Sequence, residues 1–175
     1  MNFSQYGAGV YDCKVKTADG SEYDVFAITG VTAESEQDEV EVKGDDETKG
    51  TFISNKRETL TLNANGVNFE TLEAITGNSL ASSEGGIELP MGTTAQNSPV
   101  NLEVQAFVTA KDADNTSTVV KKTWHNVQIT SINLSMEGES ELTVEMTGTA
   151  YETETDIEGS SLSSKRIATL QVLYS

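Results

Sequence analysis

One cysteine, one histidine, one tryptophan and two prolines are all that 175 residues contain of these types, and each scarcity excludes something. Cys13 has no second cysteine to pair with, so no internal disulfide framework exists, which fits a reducing compartment. His125 has neither a second histidine nor a usable cysteine, and so makes a poor metal ligand or triad base. The longest uninterrupted apolar run, Val25-Phe26-Ala27-Ile28, is far too short to cross a bilayer. Residues 1–7 offer neither a basic leader nor an apolar stretch, so no secretory signal is expected. Glycine-rich phosphate loops and nucleophile elbows are missing too. Carboxylate pairs occur throughout and therefore select no site. The expectation is a protein that is not an enzyme and that takes no cofactor and no metal.

Basic residues are also few. Eleven Lys and Arg stand against 28 Asp and Glu, for a formal charge of −17. Such a surface repels phosphate backbones and gains nothing from counterion release, which argues against a conventional nucleic-acid binder. The acid is concentrated in two segments. Residues 34–47 hold Glu34, Glu36, Asp38, Glu39, Glu41, Asp45, Asp46 and Glu47 against Lys43 alone. Residues 137–164 hold Glu137, Glu139, Glu141, Glu145, Glu152, Glu154, Asp156 and Glu158 with no Lys or Arg. Strands lying side by side would join the two into one acidic surface.

What is present is β patterning. Val10 to Thr17 reads as a strand closed by Asp19-Gly20, a strong turn signal, and Glu22 to Thr29 returns as its hairpin partner. Asp38 to Lys43 alternates Val40 and Val42 with Glu39 and Glu41. A polar turn over residues 44–50 leads to Thr51–Ser54, and Thr59–Asn63 places Leu60 and Leu62 on one face. A single helix is predicted over about residues 69–76. Asn68 is its N-cap, Gly77 its left-handed stop, and Phe69, Leu72 and Ile75 form its apolar stripe. Residues 78–99, with Gly85, Gly86, Pro90 and Pro99, read as one long loop.

Alternation resumes in Asn101–Lys111, Thr118–Ile129, Thr130–Glu137 and Glu141–Tyr151, and a last strand spans Ile167–Tyr174. Ile132 and Leu134 are out of phase with Val127 and Ile129, which predicts a bulge near Thr130-Ser131. Trp124 and His125 read as packing residues within a strand, and Cys13 as a buried thiol. Asp112-Ala113-Asp114-Asn115-Thr116 has alternating oxygens but lacks the glycine and distant glutamate of a calcium loop, so a polar turn is expected. The fold class is therefore mainly β: an antiparallel β-barrel or sandwich, residues 1–175 as one domain, with one short flanking helix.

The order of these features resembles the major tail tube proteins of long-tailed bacteriophages, from about Tyr11 to Tyr174. The resemblance rests on Val40-Glu41-Val42-Lys43-Gly44-Asp45-Asp46, then Gly50-Thr51-Phe52, then the helix ending Ile75-Thr76-Gly77. A second part is the strand Trp124 to Ile129 followed by Glu141 to Ala150, similar to the family's late hairpin. That family is related to the tube protein of type VI secretion. The resemblance implies a structural virion protein that self-assembles into hexameric rings stacked head to tail as a hollow tube. The genome would pass through it without specific binding. Tape measure protein and tail terminator would be partners, no membrane would be involved, and the protein would reside in the virion tail after assembly in the host cytoplasm.

On this basis Glu39, Glu41, Glu141 and Glu145 are candidate lumen-lining residues, although alternation alone leaves open whether their polar face is lumen or outer surface. Gly44, Asp45, Asp46, Glu47, Gly85, Gly86 and Pro90 are candidate assembly contacts. A non-enzymatic β-sandwich binding or adhesion module shares the strand pattern and is the alternative; it would need an exposed aromatic platform.

Overall fold

The computed structural model describes residues 8–25, 27–44, 47–79, 81–89, 100–111, 117–135 and 142–173. It is mainly β, with one short helix. The strands are β1 (Ala8–Lys16), β2 (Glu22–Asp24), β3 (Ile28–Gly44), β4 (Glu47–Ala64), β5 (Ala81–Ser83), β6 (Gly86–Glu88), β7 (Asn101–Lys111), β8 (Ser117–Ser135), β9 (Thr143–Tyr151), β10 (Thr153–Thr155), β11 (Ser161–Arg166) and β12 (Ala168–Leu173); helix α1 is Phe69–Thr76. Eight strands form one antiparallel sheet in the order β2-β1-β7-β8-β9-β4-β3, with β12 also joined to β8. The sheet rolls over until β1 and β3, far apart in pairing order, come into contact. Among the described residues no strand ladder joins them, so the fold is sandwich-like rather than a closed barrel.

Alternation puts Cys13, Val15, Leu60, Leu62, Leu102, Val104, Val127, Val144 and Met146 on the enclosed face, all essentially inaccessible. One polar clasp crosses this interior. Glu58 Oε2 on β4 accepts from Trp124 Nε1 at 2.6 Å and from Lys122 Nζ at 3.0 Å on β8. Lys122 also lies 4.6 Å over the Trp124 ring.

β8 carries the expected bulge: Ile129 pairs with Gly148 but Ser131 with Thr147, leaving Thr130 unmatched. A second irregularity was not evident from sequence. Leu102 pairs with Val127 but Val104 with Trp124, so His125 and Asn126 oppose the single residue Glu103. β9 passes closely here: a Cβ on Gly148 would lie 2.9 Å from the Gln128 carbonyl oxygen and from Ile129 Cδ1.

Several expected elements are revised. Strand Glu22–Thr29 is broken: β2 ends at Asp24, Ala27 takes a positive φ of 50°, and β3 starts at Ile28. Asp38–Lys43 is the end of the long strand β3, and Thr51–Ser54 and Thr59–Asn63 are parts of one long strand, β4, because residues 55–58 between them contain no glycine or proline and the chain continues through the irregularity at Asn55. The turn expected over 44–50 is shorter, since Glu47–Gly50 is already strand; only residues 45 and 46 fall between the strands. The long loop 78–99 contains the small hairpin β5–β6.

Helix α1 begins and ends as expected. Asn68 Oδ1 accepts from Thr71 N at 2.7 Å, and Gly77, at φ 68°, donates to the Glu73 carbonyl at 2.9 Å. Its buried face is rotated from the expected stripe, however. Thr71, Leu72, Ile75 and Thr76 are buried while Phe69 is 53% exposed. The Thr71 hydroxyl donates to the Asp24 carbonyl at 2.9 Å, anchoring that side of the helix next to β2 and leaving Phe69 at the margin. Leu72→Ala should therefore cost about 2–5 kcal/mol in denaturant unfolding, whereas Phe69→Ala should fall within about 0.5 kcal/mol of the parent. Equal losses would place Phe69 in the packed face after all.

Candidate functional site

β3 and β4 pair with one another over nearly their whole length, but β4 pairs with β9 only from Arg57 to Ala64. Beyond Arg57, among the described residues, each strand has only the other. Residues 36–44 and 47–54 therefore form a two-stranded arm projecting from the sandwich, about 30 Å long at the usual rise per residue. At its root the register shifts between Glu36 and Asp38, and Asn55 takes a positive φ of 50°.

Polar contacts fasten that root. Arg57 Nε donates to Glu36 at 2.9 Å, the Thr59 hydroxyl to Glu36 at 2.9 Å, and Asn55 Nδ2 to Asp38 at 3.0 Å. The Thr59 hydroxyl and the Arg57 guanidinium hold the Glu36 carboxyl below its ordinary pKa, and Glu36 raises that of Arg57. An isolated two-stranded ribbon is at best marginally stable in water.

Of the four lumen candidates, the two whose side chains are described, Glu39 and Glu145, are not brought together. Glu145 is exposed and pairs across the ladders with Asn63 and Asn133, accepting from Asn133 Nδ2 at 3.2 Å. Asn63 shares its face with Thr59, and Thr59 reaches Glu36. Glu39, three residues beyond Glu36, therefore sits on the opposite face, where it accepts from Gln37 Nε2 at 2.8 Å. The odd spacing from Glu36 to Glu39 is the physical reason. The side chain of Glu41, and Glu141 altogether, lie outside the described residues.

Among the assembly candidates, Gly44 and Glu47 pair at the arm's end, and Gly85 and Gly86 sit at the β5–β6 turn. Asp45, Asp46 and Pro90 lie outside the described residues, as does the turn 112–116. Among the described residues, no three His, Cys, Asp or Glu side chains gather as a metal site.

A buried polar cluster escaped the sequence reading. Glu103 and Gln105 alternate with apolar neighbours and would be read as solvent-facing, yet they are 6% exposed. His125 Nδ1 lies 3.1 Å from Glu103 Oε2, and its Nε2 lies 2.7 Å from Thr169 Oγ1. Gln105 Nε2 donates to the other Glu103 oxygen at 2.8 Å. Carboxylate, imidazole and hydroxyl thus line up as in an acyl-transfer relay. His125 and Glu103 are only 7% and 6% exposed, so this row of groups is enclosed.

The cover is the β10–β11 hairpin. Its Glu158 pairs with Lys16, which shares the outer face of β1 and β7 with Glu103 through the register Lys16↔Glu103. No alternation rule reveals that a distant hairpin folds onto a face.

Cys13 is buried, and burial, followed by the neighbouring Asp12 charge, pushes its thiol pKa up to about 12. The native protein should leave Cys13 unmodified by a thiol reagent at pH 8, with one equivalent reacting on denaturation; rapid native labelling would contradict its burial. Glu36 offers a pH readout. Its lowered folded pKa means its contribution is present above the ordinary carboxylate range and is lost as pH falls through the folded value. Its carboxyl resonance should titrate below the unfolded value, and Arg57→Gln should move it upward.

Comparison with known protein families finds no match, and no curated protein shows significant similarity to the chain.

Proposed function

We propose that this protein is a structural subunit that polymerises into a hollow tube of stacked rings, as the resemblance to phage tail tube proteins implies. The observation that carries this reading is the projecting arm, residues 36–44 and 47–54, which has no partner strand beyond its own hairpin among the described residues. Exposed strand edges recruit other strands, and an arm reaching from one subunit to the next makes a heterologous contact that propagates without closing. The net charge of −17 supports a channel that repels DNA, so that a genome slides through without sticking. Glu145 is the described acidic residue best placed to contribute, on the sandwich face opposite the core. Hexameric rings, contacts with a tape measure protein and a tail terminator, and residence in the virion tail after assembly in the host cytoplasm belong to the same proposal.

The alternative, a binding module, is favoured by one observation: Tyr11 is 54% exposed and stacks at a tilt on Phe107, 6.4 Å between ring centroids.

Negative-stain images at rising protein concentration separate the two. Rings or tubes are expected from the full chain. Removal of residues 40–51, rejoined by a two-residue turn, should leave a folded monomer, because the core strands keep their partners. Tubes of normal length from the shortened protein would remove the arm from assembly, and a full chain monomeric at every concentration would favour the binding module.

A further inference from the structure

The sheet formed by β1, β7, β8 and β12 has an outer face, turned away from the core, of which the described residues cover only half. At one end the β10–β11 hairpin lies over Glu103, His125 and Thr169, clamped by Glu158 to Lys16. At the other end the described residues leave the face open, and a groove runs between Tyr11, Lys14, Phe107, Val119 and Leu173. Lys121 joins this open end, because it pairs directly with Phe107 on β7 and Gln171 on β12.

The open half has an apolar, aromatic floor and cationic borders, in a chain whose charge is −17. Lys14 is held only loosely, 3.7 Å from Asp24 and 3.9 Å from Glu22, and Asp12 is the one acidic residue lining the groove. The covered half shows what the face accepts: a β-hairpin whose acidic turn, with Asp156 and Glu158, is laid across a lysine. The β3–β4 arm, with exposed Glu39, is a second hairpin rich in acid, and beyond Arg57 its strands pair only with each other among the described residues.

We propose that the groove bordered by Lys14 and Lys121 receives the β3–β4 arm of a second copy of this chain. The inference rests on the polymerising role proposed above and names its receptor surface. Donor and receptor are different surfaces of one subunit, so each docked copy presents a fresh arm and a fresh groove. The charge match steers the arm toward the groove and weakens with added salt.

Two measurements test this. In the first, Tyr11→Cys and Glu39→Cys are placed on separate chains and mixed under mild oxidation. Buried Cys13 stays out of the reaction, and an intermolecular disulfide between positions 11 and 39 is expected. In the second, Lys14→Glu with Lys121→Glu should raise the concentration needed for half-assembly by about tenfold. Adding Glu39→Lys to the same chain should bring it back toward the parent. Lys14→Gln with Lys121→Gln carries the same test, with a smaller shift, should the reversal fail to fold. Tubes that form normally in the reversed variant, with no disulfide between positions 11 and 39, overturn the docking surface and leave the tube standing. A parent chain that stays monomeric throughout overturns both.

Discussion

Holding apolar residues on one buried face along the nineteen residues of β8 is the constraint on which the rest of the architecture depends. Strict alternation would carry Trp124, Val127, Ile129 and Ile132 to different sides. Two bulges prevent that: His125-Asn126 opposes Glu103, and Thr130 is left unmatched. Each adds one residue and restores the core phase. Because β8 stays in register over such a length, one of its edges serves β7 while the other serves β12 first and β9 afterwards. The sheet is thereby bound to its own return strand, and the two halves of the sandwich close over Glu58, Lys122 and Trp124.

The first of those bulges has a chemical consequence. It sets Asn126 beside His125 opposite Glu103, while alternation from Trp124 places His125 on the outer face, its imidazole held between a carboxylate and the Thr169 hydroxyl. Buried polar groups are tolerable only when each finds a partner, and no described buried side-chain N or O lacks one. The cluster thus works as a polar seam between the sheet and the β10–β11 hairpin. The seam orients that hairpin over one half of the face, which leaves the other half open beside Tyr11 and Phe107.

Charge is distributed by the same architecture. Described cations of the sheet and the arm root mostly meet a carboxylate: Lys16 with Glu158, Lys122 with Glu58, Arg57 with Glu36. Exposed pairs of this kind contribute little to stability individually. They leave the arm acidic and the surface around Tyr11 and Phe107 less so.

Several elements were legible from local rules because local chemistry determines them. Asn68 and Gly77 bound α1 through hydrogen bonds spanning three or four residues, and the phase slip at Thr130 follows from hydrophobic period alone. The mainly β, antiparallel class follows from the same alternation. What the sequence could not contain is which polar face gets covered. Glu103 and Gln105 look like solvent residues until the β10–β11 hairpin, some fifty residues away, folds over them. Glu39 and Glu145 look like partners until the pairing of β3, β4 and β9 sets them on opposite faces. Period-two alternation determines that two neighbours differ in side; only the assembled register decides which side is which, because it depends on strands the segment itself does not include.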